Sequence, residues 1–331
     1  MSVNILGKKY RIATTTKLNL SYKNLTEFPE SIGSLSNLQE LDLSYNNLIN
    51  ISESIGSLSN LKELYLRDNN LTSFPESIGS LSNLEYLDIS NNNLTSLPNP
   101  IGNLYNLQNL NLSYNNLTSL PNSIGSLSNL EYLCLDNNGL TSLHKSIGML
   151  SNLKYLNLLN NKLTSLPESI QSLSNLQELY LNCNNFTNLP ELIGSLSNLE
   201  YLDVADNNLT NLPESIGSLS NLQNLYLHDN KLTSIPESIQ SLSNLQVLNL
   251  QNNNLTSLPE SIEIFTKIKY LELDESSYDI NNLSMDCHTL ILTSIDNNIT
   301  NLPPILKTLY LKSNINVDMI KLPYECDIIR F

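Results

Sequence analysis

A single pattern of 23 residues, LxxLxLxxNxLTxLPxxIGxLSN, recurs eleven times between residues 15 and 267. The segment SIGSLSNL is identical to the letter in five copies, whereas the segment containing LxxLxL differs from copy to copy. A repeat of this length is one supersecondary unit that cannot bury its apolar face alone, so neighbouring copies must stack and share a continuous core. The chain is therefore expected to fold as a solenoid.

Within each copy, the LxL alternation has the two-residue period of a β-strand, which places both leucines on one face and the intervening residue on the other. The Asn after each strand, as at Asn46 and Asn92, can bond backbone groups left unpaired at the turn, so this column of asparagines is expected to be structural. Pro residues such as Pro75 are expected to start the return path, and Gly residues such as Gly79 to permit its tight turn.

The pattern continues beyond residue 267 in a shorter form. The LxxLxL spacing begins again at Ile268, Cys287, Leu306 and Cys326, which lie 19, 19 and 20 residues apart. We therefore predict an N-terminal cap at 1–14, eleven repeats at 15–267, and shorter degenerate repeats with a C-terminal cap at 268–331. Within the first segment, VNIL and YRI around GKK predict a short hairpin over the apolar end of the first repeat.

These motifs resemble the leucine-rich-repeat family over nearly the whole chain. The 23-residue LPxxIGxLxxLxxLxLxxN variant is similar to the intracellular plant Ras-group-related and Ras-scaffold repeats, and LPPILKTLYLKSN is similar to the shorter repeats of bacterial effector proteins. The resemblance implies an α/β solenoid, namely a horseshoe with a parallel β-sheet on its concave face and turns or short helical segments on its convex face.

The five variable positions of LxxLxLxxN are predicted to project from the concave face. From residue 15 to residue 275 they carry 16 of the 32 acids and 5 of the 17 Lys and Arg, a net charge of −11 out of −15, together with 11 of the 16 tyrosines. Neighbouring strands lie about 4.8 Å apart, so these side chains form one surface. The densest group of tyrosines and acids is the predicted partner-binding site: Tyr132, Tyr155, Glu178, Tyr180, Tyr201, Asp203, Asp206, Tyr226 and Asp229.

Two interpretations of this surface stay open at the level of sequence. Tyr favours strands, and acids on an exposed sheet keep a protein soluble. However, Tyr is also a common interface anchor, and the concave sheet is where solenoids bind their partners. We favour partner binding, and the acidic field would steer a basic protein or peptide to the surface.

Motifs typical of enzymes are missing from the sequence. GxxxxGK[ST], GxGxxG, HExxH and CxxC do not occur, so we predict no cofactor and no catalytic residue. His228 beside Asp229 and one repeat from Asp206 would need more converging ligands to hold a metal, so no metal site is predicted. Paired carboxylates such as Asp88 and Glu63 lie on an open, solvated sheet that does not desolvate them, and the chain is expected to be non-enzymatic.

Charge and cysteines bear on location. The net charge of −15 argues against nucleic-acid and anionic-membrane partners, which need basic patches. No secretory signal is apparent in MSVNILGKKYRIATTT, and no apolar run approaches the roughly 20 residues of a membrane span. Cys287 and Cys326 occupy leucine positions and are expected to be buried, and no paired cysteine cap brackets the repeats. We therefore predict a cytoplasmic protein, of the source cell or of an infected host cell.

The sequence thus predicts a monomeric, non-enzymatic protein–protein interaction module. The family resemblance suggests a signalling scaffold of small GTPases, or a viral or pathogen protein that engages host factors. The alternative is a substrate-recognition subunit of a multi-protein enzyme such as a ubiquitin ligase, in which case catalysis would come from a separate protein.

Overall fold

The computed structural model describes residues 1–256, 268–273, 289–292, 302, 304–311, 313 and 315–330. The chain divides into two compact units. Unit 1 comprises Met1–Leu163 and Pro167–Leu176, and unit 2 comprises Thr164–Leu166 and Gln177–Phe331. Part of the eleventh repeat, residues 257–267, and Cys287 lie outside the described residues.

Unit 1 begins with an antiparallel hairpin and continues as a parallel sheet of three-residue strands, with one short 3-10 helix (η) between successive strands. The strands are β1 (Ser2–Ile5), β2 (Lys8–Arg11), β3 (Lys17–Asn19), β4 (Glu40–Asp42), β5 (Glu63–Tyr65), β6 (Tyr86–Asp88), β7 (Asn109–Asn111), β8 (Tyr132–Cys134) and β9 (Tyr155–Asn157). The helices are η1 (Glu30–Ser34), η2 (Glu53–Ser57), η3 (Glu76–Ser80), η4 (Asn99–Asn103), η5 (Asn122–Ser126), η6 (Lys145–Met149) and η7 (Glu168–Ser172).

Unit 2 has the same alternation in its first half and longer strands in its second. The strands are β10 (Glu178–Tyr180), β11 (Tyr201–Asp203), β12 (Asn224–Tyr226), β13 (Val247–Asn249), β14 (Tyr270–Leu273), β15 (Thr289–Leu292), β16 (Thr308–Leu311) and β17 (Asp327–Arg330). The helices are η8 (Glu191–Ser195), η9 (Glu214–Ser218), η10 (Glu237–Ser241) and η11 (Val317–Met319). The predicted α/β solenoid is confirmed in each unit, with a parallel sheet on one face and short helical segments on the other.

The apolar positions of the repeat form the core. In the repeat that starts at Leu84, the side chains of Leu84, Leu87, Ile89, Leu94 and Ile101 are fully buried. Parallel strands pair in register, so that Leu87 lies between Leu64 and Leu110 of the neighbouring strands. Each repeat therefore buries its leucines against the same positions of the next repeat.

The asparagine after each strand bonds backbone groups of its own and the preceding repeat, as predicted. The Asn46 Nδ2 donates to Leu20 O at 2.9 Å and to Leu43 O at 2.8 Å, while Asn46 Oδ1 accepts from Leu25 N at 3.0 Å. Asn46 is buried. Because leaving a buried backbone group without a partner is costly, these hydrogen bonds explain why asparagine recurs at this position of the repeat.

The invariant segment contains a second column of asparagines, whose structural role the sequence pattern does not predict. Asn60 Nδ2 donates to Ser36 O at 2.8 Å, and Asn106 Nδ2 donates to Ser82 O at 2.8 Å. These bonds are exposed and also join neighbouring repeats. The final Asn of SIGSLSN is therefore accounted for by a structural contact.

The glycines of the short helices have a different role from the turn that we expected. A Cβ added at Gly79 would lie 2.7 Å from Pro100 O, and one added at Gly102 would lie 2.5 Å from Ser123 O. Both distances are shorter than real Cβ contacts, so the absence of a side chain lets adjacent helices approach closely. Packing between repeats, rather than the turn within one repeat, selects glycine here.

The hairpin expected near the N-terminus is formed by β1 and β2, which pair antiparallel around Leu6 and Gly7. Both turn residues have positive φ, as in the two-residue turns that connect the strands of tight β-hairpins. Ile5 is buried, and Ser31 Oγ on η1 donates to Asn4 O at 3.1 Å. The hairpin thus covers the first short helix.

The last repeat differs from the prediction by one residue. Leu309 pairs with Ile328, and Tyr310 pairs with Ile329, so the strands β14 to β17 recur every 19 residues. Ile329 therefore lies at a variable position and is exposed, whereas the predicted frame made it a core residue. Cys326, expected to be buried, is only half-buried for the same reason.

Candidate functional site

The exposed sheet face consists of the side chains at the five variable positions of LxxLxLxxN. In unit 2 its most prominent feature is a row of contacting aromatic rings, called here the unit-2 tyrosine group: Tyr180, Tyr201 and Tyr226. The ring centroids of Tyr180 and Tyr201 are 4.7 Å apart, and those of Tyr201 and Tyr226 are 5.3 Å apart. Tyr alternates between the fifth and third positions of successive strands, so the rings meet diagonally.

A hydrogen bond holds Tyr180 in place, and burial affects the ionisation of Tyr201. The Tyr180 hydroxyl donates to Glu178 Oε2 at 2.8 Å. Burial raises the pKa of the Tyr201 phenol above its usual value, and the nearby charge of Asp203 raises that pKa further. The Tyr201 hydroxyl is therefore uncharged at physiological pH, and the three rings offer a half-buried apolar surface.

The two remaining tyrosines of the predicted site lie in unit 1. Tyr132 on β8 and Tyr155 on β9 are register partners, and their ring centroids are 6.1 Å apart. Tyr132 is the more accessible of the two, with 43% of its surface exposed. They form an aromatic pair in unit 1.

The prediction that Asp203 is a surface charge is wrong. Its side chain is buried, with 9% of its surface exposed, and Asp203 Oδ1 accepts a hydrogen bond from Ala205 N at 3.0 Å. Asp42 and Asp88 accept from Ser44 N and Ser90 N in the same way, both at 2.9 Å. Asp or Asn at the fifth position thus closes the turn after the strand. Burial raises the pKa of Asp203, partly offset by the hydrogen bond from Ala205.

Asp206 and Asp229 occupy the eighth position of successive repeats, where the backbone is left-handed, with φ of 52° and 54°. Asn and Asp adopt this conformation more readily than most residues. The structure brings these two aspartates together with His228: one ligand atom of each side chain lies within 4.8 Å of the others. Cys183, in the preceding repeat, has its Sγ 3.8 Å from Asp206 Oδ2.

The acids of the exposed sheet face are neutralised unequally. In unit 1, four basic side chains form ion pairs with them: Lys17–Glu40, Lys62–Glu85, Arg67–Asp68 and Lys154–Glu131. In the described part of unit 2, no lysine or arginine forms an ion pair with any of five carboxylates: Glu178, Glu200, Asp203, Asp206 and Asp229. The uncompensated negative charge thus surrounds the unit-2 tyrosine group.

Unit 1 carries an aromatic contact between residues that are not among the predicted site residues. Tyr22 and Tyr45 stack with centroids 4.4 Å apart and planes 7° apart, and the Arg67 guanidinium lies 5.7 Å from the Tyr45 ring. Tyr22 is 67% exposed, more than Tyr132. The signal was present in the sequence, because both tyrosines follow the strand in consecutive repeats at the eighth position.

None of the described helices is long and apolar enough to cross a membrane. Residues 74–144 and 140–232 match the family described as leucine-rich repeat region, and residues 13–71 and 220–276 match that described as leucine rich repeat. A comparison with curated protein sequences gave no match.

Solved structures show the same fold. A leucine-rich-repeat protein of Leptospira interrogans is 35% identical, with a TM-score of 0.71, and the match covers 95% of this chain and 83% of that one. A plant peptide hormone receptor in complex with RGF2 is 28% identical, with a TM-score of 0.71, over 91% of this chain. The chain spans about half (54%) of that receptor.

A third similar structure is the functional domain of InlJ from Listeria monocytogenes, which has a TM-score of 0.73 over 93% of this chain and 66% of that one. Its identity of 24% shows the fold alone. Taken with the repeat matches and the Leptospira structure, the sequence and the fold place this chain in the leucine-rich-repeat family.

Proposed function

We propose that the exposed sheet face binds a protein partner with a basic surface, and that the unit-2 tyrosine group is its anchor. The observation that carries the proposal is the coincidence of two features in unit 2. Three tyrosine rings contact one another there, and the surrounding carboxylates form no ion pair with a described lysine or arginine. Leucine-rich-repeat proteins generally mediate protein–protein interactions, which fits this use of the surface.

The tyrosines suit an anchoring role because their rings are already held in place. Ring contacts and the hydrogen bond from Tyr180 to Glu178 restrict their rotamers before any partner arrives. A side chain that is ordered in the free protein loses little entropy on binding. Aromatic anchors of this kind are each worth about 2 kcal/mol or more, equivalent to roughly thirtyfold in affinity.

The acids act mainly on the rate of association. Asp206 is exposed and Asp229 lies beside it, so their charges attract a basic partner before contact. Screening by salt weakens this attraction, since the Debye length falls to about 8 Å at physiological ionic strength. Asp203 does not belong to this set, because its carboxylate closes a turn.

The wider role that we propose is that of a monomeric, cytoplasmic interaction protein, either a signalling scaffold or a protein that a virus or pathogen directs at host factors. The resemblance of the 23-residue repeat to Ras-group-related and Ras-scaffold repeats motivates the first. The peptide-bound plant receptor among the similar structures supports a protein or peptide ligand. Substrate recognition for a ubiquitin ligase is the alternative, and it would use the same surface.

Comparative affinity purification tests the proposal. The wild-type chain and the double variant Tyr180→Ala/Tyr201→Ala are used as baits in native cell extract, and partners that bind the wild type are then titrated as purified proteins. We expect at least a thirtyfold weaker affinity for the double variant, while its melting curve shows that it is still folded at the assay temperature. Charge reversal at Asp206 and Asp229 should slow association, and the effect should be largest at low salt.

The matched controls are Glu168→Lys and Glu214→Lys, each in the first turn of a short helix on the opposite side of its unit. These changes reverse charge without touching the exposed sheet face, and binding should be unaffected. If they abolish binding while the tyrosine variant binds normally, the invariant half of the repeat carries recognition and the proposal is wrong. The identity of the purified partner separates a GTPase pathway from a ligase complex.

A further inference from the structure

The short helices carry a column of acids that is interrupted in three successive repeats of unit 1. The first residue of the helix is Glu in seven of the ten helices η1 to η10. It is Asn99 in η4, Asn122 in η5 and Lys145 in η6, and all three side chains are exposed. No acid occurs anywhere in these three helices. Three glutamates of the repeat pattern are thus replaced by two neutral residues and one cation.

Two exposed apolar side chains lie in the same three repeats. Tyr105 is 54% exposed and Met149 is 63% exposed, and both occupy positions that hold Ser in the five identical copies of SIGSLSNL. Met149 leans towards the preceding repeat, since a Cβ added at Gly125 would lie 3.2 Å from Met149 Sδ. Protein interfaces are enriched in Tyr and Met and depleted of Glu. The substitutions in these repeats are therefore typical of an interface.

A surface concavity of about 540 Å³ lies between the repeats that contain η5 and η6. Asn122, His144 and Lys145 line it, together with serines and leucines of the same two repeats, and no acid does. The corresponding concavity two repeats earlier is smaller, about 350 Å³, and has Glu76 at the position of Asn122. The larger concavity therefore presents hydrogen-bond donors where the smaller one presents a carboxylate.

Two of these donors are available to a ligand. His144 replaces the Pro that precedes most of the short helices, and its Nδ1 accepts a hydrogen bond from Ser146 N at 3.1 Å. The neutral ring then carries its proton on Nε2, which has no hydrogen-bond partner among the described residues. Lys145 is exposed and forms no ion pair with a described acid. An ammonium group and an imidazole N–H at one concavity suit a carboxylate.

We propose that this side of unit 1 docks an acidic segment of a protein partner. The docking surface, called here the helix-side patch, consists of six residues: Asn99, Tyr105, Asn122, His144, Lys145 and Met149. A carboxylate of the segment pairs with Lys145 and accepts from His144 Nε2, and apolar residues of the segment pack against Tyr105 and Met149. Two repeats span about 10 Å, the length of three extended residues.

The charge pattern favours this occupant over others. A Glu at the start of every helix would repel an acidic segment, and its loss from three successive helices removes that repulsion. A single lysine is too little charge for nucleic acid or an anionic membrane, which bind clusters of basic residues. The helix-side patch lies on the opposite side of unit 1 from the exposed sheet face, so this proposal does not rest on the proposed function.

Variants that restore the repeat pattern test the proposal, because the residues that they introduce already occur at the same positions of other repeats. His144→Pro/Lys145→Glu restores the usual start of the helix, and Tyr105→Ser/Met149→Ser removes the two apolar side chains. The probe is a random dodecapeptide library displayed on phage and selected on the full chain. We expect a class of selected peptides rich in Asp and Glu. Synthetic members of this class should bind each double variant at least tenfold more weakly than the wild type.

Two controls accompany these variants, and melting curves check that every variant is folded. Tyr180→Ala/Tyr201→Ala on the exposed sheet face should bind the acidic peptides as the wild type does, which separates this proposal from the proposed function. Glu168→Lys, the reverse charge change at the start of the next helix, should not weaken their binding. The absence of an acidic class, or equal affinity of both double variants and the wild type, would overturn the proposal. So would dimers of the wild type in analytical ultracentrifugation that the double variants lose, because the patch would then bind a second copy of this chain.

Discussion

Replacing Asn92 by alanine tests how the asparagine column stabilises the solenoid. Asn92 Oδ1 accepts from Leu71 N at 2.9 Å, and Asn92 Nδ2 donates to three carbonyls, Leu66 O, Ile89 O and Ser90 O, at 3.0 to 3.1 Å. All four contacts are buried. At about 1 kcal/mol for each hydrogen bond, a simple count gives roughly 4 kcal/mol for the variant.

The structure predicts a smaller loss, because the carbonyls keep other donors. Leu66 O also accepts from Asn69 Nδ2, and Ile89 O also accepts from Asn115 Nδ2, both at 3.0 Å. Ser90 O accepts from Asp68 N at 3.1 Å. Only the Leu71 N–H loses its acceptor, so Asn92→Ala should lower the free energy of unfolding by about 1–3 kcal/mol, the cost of one buried unpaired group.

Urea titration followed by tyrosine fluorescence measures this change, since the chain has 16 Tyr and no Trp. Hydrogen exchange adds a local readout, because the Leu71 amide should exchange faster in Asn92→Ala. The matched control is Asn106→Ala, which removes one exposed bond to Ser82 O and should cost about 1 kcal/mol or less. A loss above 4 kcal/mol for Asn92→Ala, or equal losses at both sites, would refute the reasoning.

A second variant, Asn92→Asp, should make the stability of the protein depend on pH. Asn92→Asp keeps an acceptor for Leu71 N but places its other oxygen against three carbonyl oxygens, in a buried position. Burial and this repulsion would raise the pKa of the new carboxyl above its unfolded value of about 3.9. The unfolded chain then loses its proton first as pH rises, so stability falls as pH rises through the folded pKa. Asn92→Asp should therefore be less stable than Asn92→Ala at neutral pH and should recover in acid.

Three further changes probe packing, orientation and ionisation. Gly102→Ala should lower the free energy of unfolding, measured by urea titration, by about 1–3 kcal/mol, because its Cβ would lie 2.5 Å from Ser123 O. Gly139→Ala, whose Cβ would have its nearest contact at 3.4 Å, should change the free energy of unfolding little. Equal effects of the two substitutions would contradict the packing argument. Leu156→Ala should lower the free energy of unfolding by about 2–5 kcal/mol because Leu156 is fully buried. Tyr155→Ala, on the same strand, should lower it clearly less. Equal losses would mean that the buried and exposed faces of the strand are assigned wrongly. The pKa of Tyr201 is raised, so the unfolded chain ionises first and stability should fall as pH rises above about 10. Tyr201→Phe should make that alkaline fall less steep, and identical pH profiles would argue against burial of the phenol.

The fold could be predicted from the sequence because stacking dictates it. A leucine such as Leu87 recurs at the same place in each repeat, and the only arrangement that buries all copies is the in-register parallel sheet. The structural role of Asn46 was likewise predictable, since an amide after a strand end has donors and an acceptor for the free backbone groups. Such features depend only on the pattern of one repeat and of the similar repeat beside it, and both patterns can be read from the sequence.

The errors occurred where a side chain interacts in a way that periodicity does not encode. Asp203 alternates correctly to the exposed sheet face, but its short carboxylate turns back to the amide two residues later. The sequence pattern predicts a turn within its own repeat at Gly79, whereas the constraint comes from Pro100 in the next repeat. The last repeat, which contains Cys326, is short and ends at the edge strand β17, so too few repeat positions remain in the sequence to align it correctly with the preceding repeats.

The candidate site was predictable as a surface but less so as a set of contacts. Alternation places Tyr180 and Tyr201 on one face, and the diagonal ring contact follows from parallel pairing. The position of Cys183 beside Asp206, in contrast, depends on a left-handed residue in each repeat, with φ of 55° and 52°. That backbone conformation aligns the eighth-position side chains, and no two-residue period reveals it.

The spacing of the hydrogen bonds between repeats has an evolutionary consequence. The bonds that Asn46, Asn60 and their equivalents make to another repeat span between 21 and 26 residues, so each one reaches only the adjacent repeat. Excision or insertion of one 23-residue segment would therefore restore the same bonds at the new junction. The five identical copies of SIGSLSNL provide matching sites for unequal crossing-over in the coding sequence. The length of the exposed sheet face can consequently change by whole repeats in a single genetic event, while each new copy is then free to diverge at its variable positions.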